Sequence, residues 1–236
     1  KPDFLIKLAC TVHDLPDLRD RSQVFRDREH AGVVLAGMLA EFRSSGALVL
    51  GIPAGGVPVA AAIATALGLD LDVAVVSKIL LPWTTEAGYG AVAFDGSAWV
   101  DPRAVARFGL GEADAREGMD KARAKVERRV ALLRGGKPLE VAGRTAILVD
   151  DGVAAGSTLR AAIAALRAGD VGRLVVAVPT GHGRSVEDLV DLVDAIYCAN
   201  VRHGFSFAVA DAYRTWLDVT EDEVVEVLRA TRAGAR

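Results

Sequence analysis

Apolar and polar residues along this chain follow two periods, and the switches between them mark its elements. From about Phe25 to Phe42 apolar residues recur at helical spacing (Val33, Leu35, Ala36, Leu39, Ala40), and Ser44-Ser45-Gly46 closes the run. Ala47-Leu48-Val49-Leu50 is short and wholly apolar, as a strand buried on both faces must be. Gly51-Ile52-Pro53-Ala54-Gly55-Gly56 follows, then a helix from Val57 to Leu67 stopped by Gly68. Leu71 to Val76 reads as a second strand ending at Ser77-Lys78. Thr145 to Val149 is a third, leading through Asp150 to Gly156 into a helix from Ser157 to Ala168. Leu174 to Val178 and Asp194 to Cys198 are a fourth and a fifth strand, with a helix over Arg184 to Leu192 between them.

Three stretches break this rhythm. Between Ile79 and Asp101, Ala91-Val92-Ala93-Phe94 and Ala98-Trp99-Val100 flank Asp95-Gly96, a hairpin turn. A charged helix over Gly111 to Leu133 carries a narrow apolar stripe of Met119, Val126, Val130 and Leu133. Beyond Asn200 lies an irregular segment with Phe205, Phe207, Tyr213 and Trp216, then a helix from Glu221 to Thr231. Strands alternating with helices predict an α/β fold, a Rossmann-like parallel sheet with helices on both faces. Ligands of such sheets bind beyond the carboxyl ends of the strands. No internal repeat or linker divides the chain, so one domain is expected.

Composition narrows the function. With 28 basic and 31 acidic residues the formal charge is −3, which lacks the basic footprint of a nucleic-acid binder. The longest apolar run, Val57 to Leu69, is about thirteen residues, against the roughly 20 that span a bilayer. Lys7 interrupts Phe4-Leu5-Ile6, so no signal-peptide core is read there. The expectation is a cytoplasmic protein without a membrane partner. Cys10 and Cys198 form no disulfide framework, and four scattered histidines have no metal-ligand spacing.

The most informative segment is Ala146-Ile147-Leu148-Val149-Asp150-Asp151-Gly152-Val153-Ala154-Ala155-Gly156-Ser157-Thr158. Its second half is built for an anion: small residues let backbone N–H groups converge, and a helix begins at Ser157. The adjacent carboxylates Asp150 and Asp151 would repel a phosphate, unless the ligand also carries a diol a few ångströms from it. Carboxylates accept hydrogen bonds from hydroxyls, while amides donate to phosphate, and ribose 5-phosphate offers both. Four apolar residues, two acids, then small residues and Ser/Thr resemble the phosphoribosyl-diphosphate (PRPP) signature of the type I phosphoribosyltransferases.

The resemblance runs from about Val24 to Val227 and implies roles for further residues. Ala54, Gly55 and Gly56 resemble the family's pyrophosphate loop, although many relatives have Arg where Ala54 stands. Lys78 takes the place of a basic residue that touches pyrophosphate; the other reading is a solvated strand-end lysine. Pro82 to Asp101 occupies the place of the mobile loop that closes over PRPP. Within it Glu86 would orient a metal-bound water or the substrate, or anchor the loop. Arg128 and Arg129 read as partners of surface carboxylates. The family's fold implies a core over about 24–199 and a hood from about 1–23 and 200–236. In that hood Phe205, Phe207 and Asp211 would contact the acceptor, the other reading being core aromatics.

The expected activity is therefore Mg²⁺-dependent transfer of 5-phosphoribosyl from PRPP to a nucleobase-like acceptor, releasing pyrophosphate. Asp150 and Asp151 would hold the ribose hydroxyls, and Gly152, Val153, Ala154, Ala155, Gly156, Ser157 and Thr158 the 5-phosphate. Gly55, Gly56 and Lys78 would hold the leaving group. Magnesium would enter with PRPP rather than on a protein site of its own. The family also implies a homodimer, for which the apolar stripe of the 111–133 helix offers an interface. Ala54 supports the alternative, a PRPP-binding sensor without turnover.

Overall fold

The short apolar runs become the centre of a six-stranded parallel sheet, because fully apolar strands need cover on both faces. The computed structural model describes residues 10–84 and 87–234. Along the chain run β1 (Thr11–His13), α1 (Arg28–Met38), β2 (Leu48–Gly51), α2 (Gly56–Leu67), β3 (Asp70–Val73), β4 (Val76–Leu80), β5 (Gly88–Ala93), β6 (Ala98–Val100) and α3 (Pro102–Phe108). After them come α4 (Glu112–Arg134), β7 (Thr145–Val149), α5 (Ser157–Ala168), β8 (Arg173–His182), α6 (Gly183–Glu187), β9 (Ala195–Arg202) and α7 (Glu221–Gly234). The main sheet has the order β1-β9-β8-β7-β2-β3, and β4-β5-β6 form a separate antiparallel sheet. No helix among the described residues is long and apolar enough to cross a membrane.

Strand alternation divides the core in two. Val49, Ile147, Val149, Val175 and Ala177 face one layer with α1, α2 and α7. Leu48, Leu50, Ala146, Leu148, Leu174 and Val176 face the other, which α5 covers. Register then sets the site. Gly51 pairs with Val149, and Val149 with Ala177, so β2 and β7 end level with each other. The Ile52 N–H donates to the Val149 carbonyl at 2.8 Å, carrying that alignment into the loops.

Several expectations need correction. The strand expected over Leu71 to Val76 stops at Val73, and the chain enters the second sheet at Val76. Val73 through Val76 are all buried, so the hydrophobic pattern runs unbroken across the change of sheet. Lys78 accordingly lies inside β4, opposite Ala91, rather than at the end of a parallel strand. Half of the described residues of Pro82 to Asp101, the stretch expected in the place of a mobile loop, form β5 and β6, the hairpin read around Asp95-Gly96: Ala91, Val92 and Ala93 are fully buried, and the Tyr89 hydroxyl donates to the Ala115 carbonyl. Glu86 lies outside the described residues. The stripe of α4 is packed into the protein's own core through Met119, Val126, Val130 and Leu133, and is not a free face for a second copy.

Two elements were not anticipated. The edge strand β1 is exposed along its whole length, and α3 opens with Asp101 capping the Arg103 N–H and Pro102 in the first turn. Strands β8 and β9 also run further than their apolar cores, pairing Thr180 with Asn200 and His182 with Arg202. Thr180 and Asn200 are fully buried and satisfy each other, the Thr180 hydroxyl donating to the Asn200 side-chain oxygen at 2.7 Å. The Asn200 amide in turn donates to the Leu18 and Arg21 carbonyls, pinning the N-terminal segment over the strand ends. That segment also runs beside residues 211–215: the Gln23 and Phe25 N–H groups donate to Asp211 and Ala212, and the Arg214 N–H to Phe25.

Candidate functional site

Beyond the carboxyl ends of β2 and β7 opens a cavity of about 630 Å³, in the range of small-molecule clefts. Its walls are the loop 52–55, β4, one face of α4, the whole of 150–158, Val209 and Trp216. The Asp150 carboxylate accepts from the Asp151 N–H at 2.9 Å and from the Thr158 hydroxyl at 3.5 Å. Asp151 is ion-paired to Arg28, Nε to Oδ2 at 2.9 Å. Asp150 is pushed well above the ordinary carboxyl range, first by burial and then by the charge of Asp151. Burial also raises Asp151, against the charge and hydrogen bond of Arg28.

Arg28 was not foreseen as a site residue. It sits in the first turn of α1, 123 positions from Asp151, and only the fold brings them together. Its guanidinium also donates to the Leu217 carbonyl at 2.7 Å and lies 3.8 Å over the Trp216 ring. Tyr213, packed against Trp216, donates its hydroxyl to the Asp151 carbonyl at 2.6 Å. Burial holds that phenol well above its usual pKa, so it remains a donor. One acid of the pair is thus fixed in place from both ends of the chain, and both acids still line the cavity.

The rest of 152–158 divides by role. The Val153 N–H donates to the Thr180 carbonyl, and its own carbonyl accepts from the His182 N–H, which ties the loop to β8. Among the described residues, no protein acceptor takes the N–H groups of Gly152, Ala154, Ala155, Gly156, Ser157 and Thr158. Gly156 adopts φ +75° ahead of α5, a conformation that a side chain would strain. The loop therefore presents unpaired amides at the positive end of a 12-residue helix.

The glycines of 51–56 serve closeness rather than conformational freedom. Gly55 has ordinary helical dihedrals (φ −64°, ψ −29°), yet a Cβ there would meet the Asp151 carboxylate, with Cγ at 2.7 Å. A Cβ on Gly56 would lie 2.6 Å from the Val149 carbonyl oxygen. The Pro53–Ala54 peptide is cis. Lys78 lies near enough for its charge to favour ionisation of both aspartates, and among the described residues it has no ion pair.

The residues expected at the acceptor do not line this cavity. Phe205 points into solvent, Phe207 packs on His182 and Arg202, and Asp211 stands 3.5 Å from Arg202. From the segment after Asn200, Val209 and Trp216 are the residues that line the cavity. Arg128 and Arg129 pair with a carboxylate as expected, Glu221 at the start of α7, at 2.6 and 2.8 Å. Arg129 also reaches the cavity wall, as does Lys125 one turn earlier, which sequence reasoning passed over.

The two arginines depress Glu221 to about 2. A carboxylate with a lowered folded pKa stabilises the fold above its unfolded value and loses that contribution as pH falls through the folded one. Glu221→Gln should therefore cost about 1–2 kcal/mol at neutral pH, a figure reduced by solvent around Arg128. The difference from wild type should vanish between about pH 4.5 and 2. Denaturant titrations across that window check it; a gap that stays constant would contradict the pairing.

The comparisons with known proteins agree with this geometry. The phosphoribosyl transferase domain model matches residues 31–212, and the chain belongs to that family. Its sheet and helices form the type I phosphoribosyltransferase fold. Two Mycobacterium tuberculosis proteins, "Putative phosphoribosyl transferase MT0597" (strain CDC 1551 / Oshkosh) and "Putative phosphoribosyl transferase Rv0571c" (strain ATCC 25618 / H37Rv), are each 36% identical over 208 residues. That alignment covers 87% of this chain and 46% of each relative, so the chain spans about half their length. The crystal structure of TT1426 from Thermus thermophilus matches with a TM-score of 0.69 at 34% identity, over 86% of this chain and 97% of that one. AQ2163 from Aquifex aeolicus, at TM-score 0.50 and 9% identity over 86% and 85% of the two chains, shares the fold alone.

Proposed function

We propose that this protein transfers the 5-phosphoribosyl group of PRPP to a nitrogen of a nucleobase-like acceptor. One observation carries the reading: a single loop offers two carboxylates and a row of unpaired amides to the same cavity. Asp150 and Asp151 accept from the ribose hydroxyls, and the amides of 154–158 with the Ser157 and Thr158 hydroxyls hold the 5-phosphate. The C1–oxygen bond to diphosphate breaks, the acceptor nitrogen bonds C1, and its proton leaves to solvent or diphosphate. C1 becomes cation-like on the way, and the two carboxylates favour that charge. Lys78 offsets the charge gathering on diphosphate.

Among the described residues no group of three or more His, Cys, Asp or Glu side chains could hold a metal ion. Two carboxylates at one cavity do fit a hard ion such as Mg²⁺ that is bound largely through substrate phosphates. Asp150 and Asp151 would hold it, and its chemistry there is neutralisation of the leaving group.

Pyrophosphate release from Mg²⁺–PRPP, measured across a panel of purine and pyrimidine bases, tests the proposal. Saturable release that requires one class of base is the expected result. Ala54, which puts no cation on the loop after β2, favours a second reading as a PRPP sensor; saturable binding without release from any base would support that one.

A further inference from the structure

Three cationic side chains line the same cavity as the acid pair: Lys78 from β4, and Lys125 and Arg129 from α4. Lys125 and Arg129 are one helical turn apart and so share a face. Arg129 is anchored, its Nε held by Glu221 at 2.8 Å with the side chain only 13% exposed. Lys125 and Lys78 have no ion-pair partner within 4 Å among the described residues. Partial loss of water, and then the charge of Arg129, hold Lys125 below the ordinary lysine range. Such a cluster of like charges is unfavourable on its own, and an anion of more than one charge would complete it.

The 5-phosphate of PRPP already has its partners in the amides of 154–158, so the anion for this wall is the other end of the molecule. The loop after β2 brings no cation of its own, since position 54 is alanine. We infer that Lys125, with Arg129 beside it, is the diphosphate-recognising element of this protein, so that charge recognition of the leaving group sits on α4 rather than on the loop after β2. This rests on the PRPP reading above. It adds that Glu221 acts as a positioning residue, tying α7 to the helix that carries the cations.

Calorimetric titrations with two separate probes test the inference: inorganic pyrophosphate with Mg²⁺, and ribose 5-phosphate. Lys125→Gln should weaken pyrophosphate by about tenfold or more and leave ribose 5-phosphate within about twofold of wild type. Lys125→Arg should restore most of the loss, which separates a lost charge from a disturbed helix. Lys121→Gln, four residues earlier and paired to Glu117, should change neither affinity, which separates local recognition from general screening. If wild type binds both probes and Lys125→Gln keeps its pyrophosphate affinity, the inference is overturned and the PRPP reading stands. If wild type binds neither probe, both fall together.

Discussion

Replacing Asp150 and Asp151 together by alanine should leave no calorimetrically detectable binding of Mg²⁺–PRPP. The single change Asp150→Asn is more diagnostic, because it should separate binding from folding. Asparagine keeps the size and, with its oxygen at the Oδ1 position, the acceptor for the Asp151 N–H; its amide N–H then faces the Thr158 hydroxyl as a donor, and the charge is lost. The two hydroxyl hydrogen bonds to an ionised carboxylate become ordinary ones, and PRPP affinity should fall by about 10–100-fold. Stability should move the other way. The Asp150 pKa is raised by burial, and a carboxyl with a raised folded pKa costs stability as pH climbs from its unfolded value through the folded one. At neutral pH the variant should melt no lower than wild type, and about 1 kcal/mol of relief would appear as roughly 2–4 °C for a chain of this size. A thermal melt beside the titration checks both halves. A variant that binds PRPP normally, or that loses binding only because it unfolds, would contradict the role given to Asp150.

Gly55→Ala should be destabilising and should weaken PRPP binding, against what its backbone dihedrals suggest. Its backbone already has the dihedrals alanine prefers, so propensity alone forecasts a small gain. The added carbon instead collides with the Asp151 carboxylate, which cannot swing away because Arg28 holds it. Overpacking of this kind costs about 1–3 kcal/mol, and PRPP affinity should drop at least tenfold as the carboxylate is displaced. Gly37→Ala in α1 is the control: nothing lies within 4 Å of the new Cβ, and it should stabilise by about 0.5–1 kcal/mol. Equal responses at the two positions, read by urea unfolding, would refute the packing argument.

The parts of this protein that read well from sequence are those where one residue type leaves the chain little choice. Ala146 to Val149 has only apolar side chains, and the small residues after it permit only a turn into a helix, so β7, its loop and α5 fall where expected. Gly68, at φ +64°, ends α2 as read. Apolarity says nothing about which sheet a strand joins, so the passage from Val73 to Val76 concealed a change of sheet and with it the position of Lys78. The Asp101-Pro102 pair did carry a legible helix-start signal for α3. Arg28, Trp216 and Lys125 carried none: each is an ordinary residue of its own element and becomes part of the cavity through contacts across the fold. Phe205 and Phe207 show the reverse: the family resemblance implied a stacking surface and their spacing a core, whereas Phe205 is in solvent and Phe207 lies against His182.

The most direct measurement is a crystal structure of the protein soaked with PRPP and Mg²⁺. The 2′- and 3′-hydroxyls are expected on Asp150 and Asp151, with the 5-phosphate against the amides of 154–158. A well-ordered PRPP whose sugar lies away from both aspartates, or whose phosphate ignores those amides, would contradict that placement.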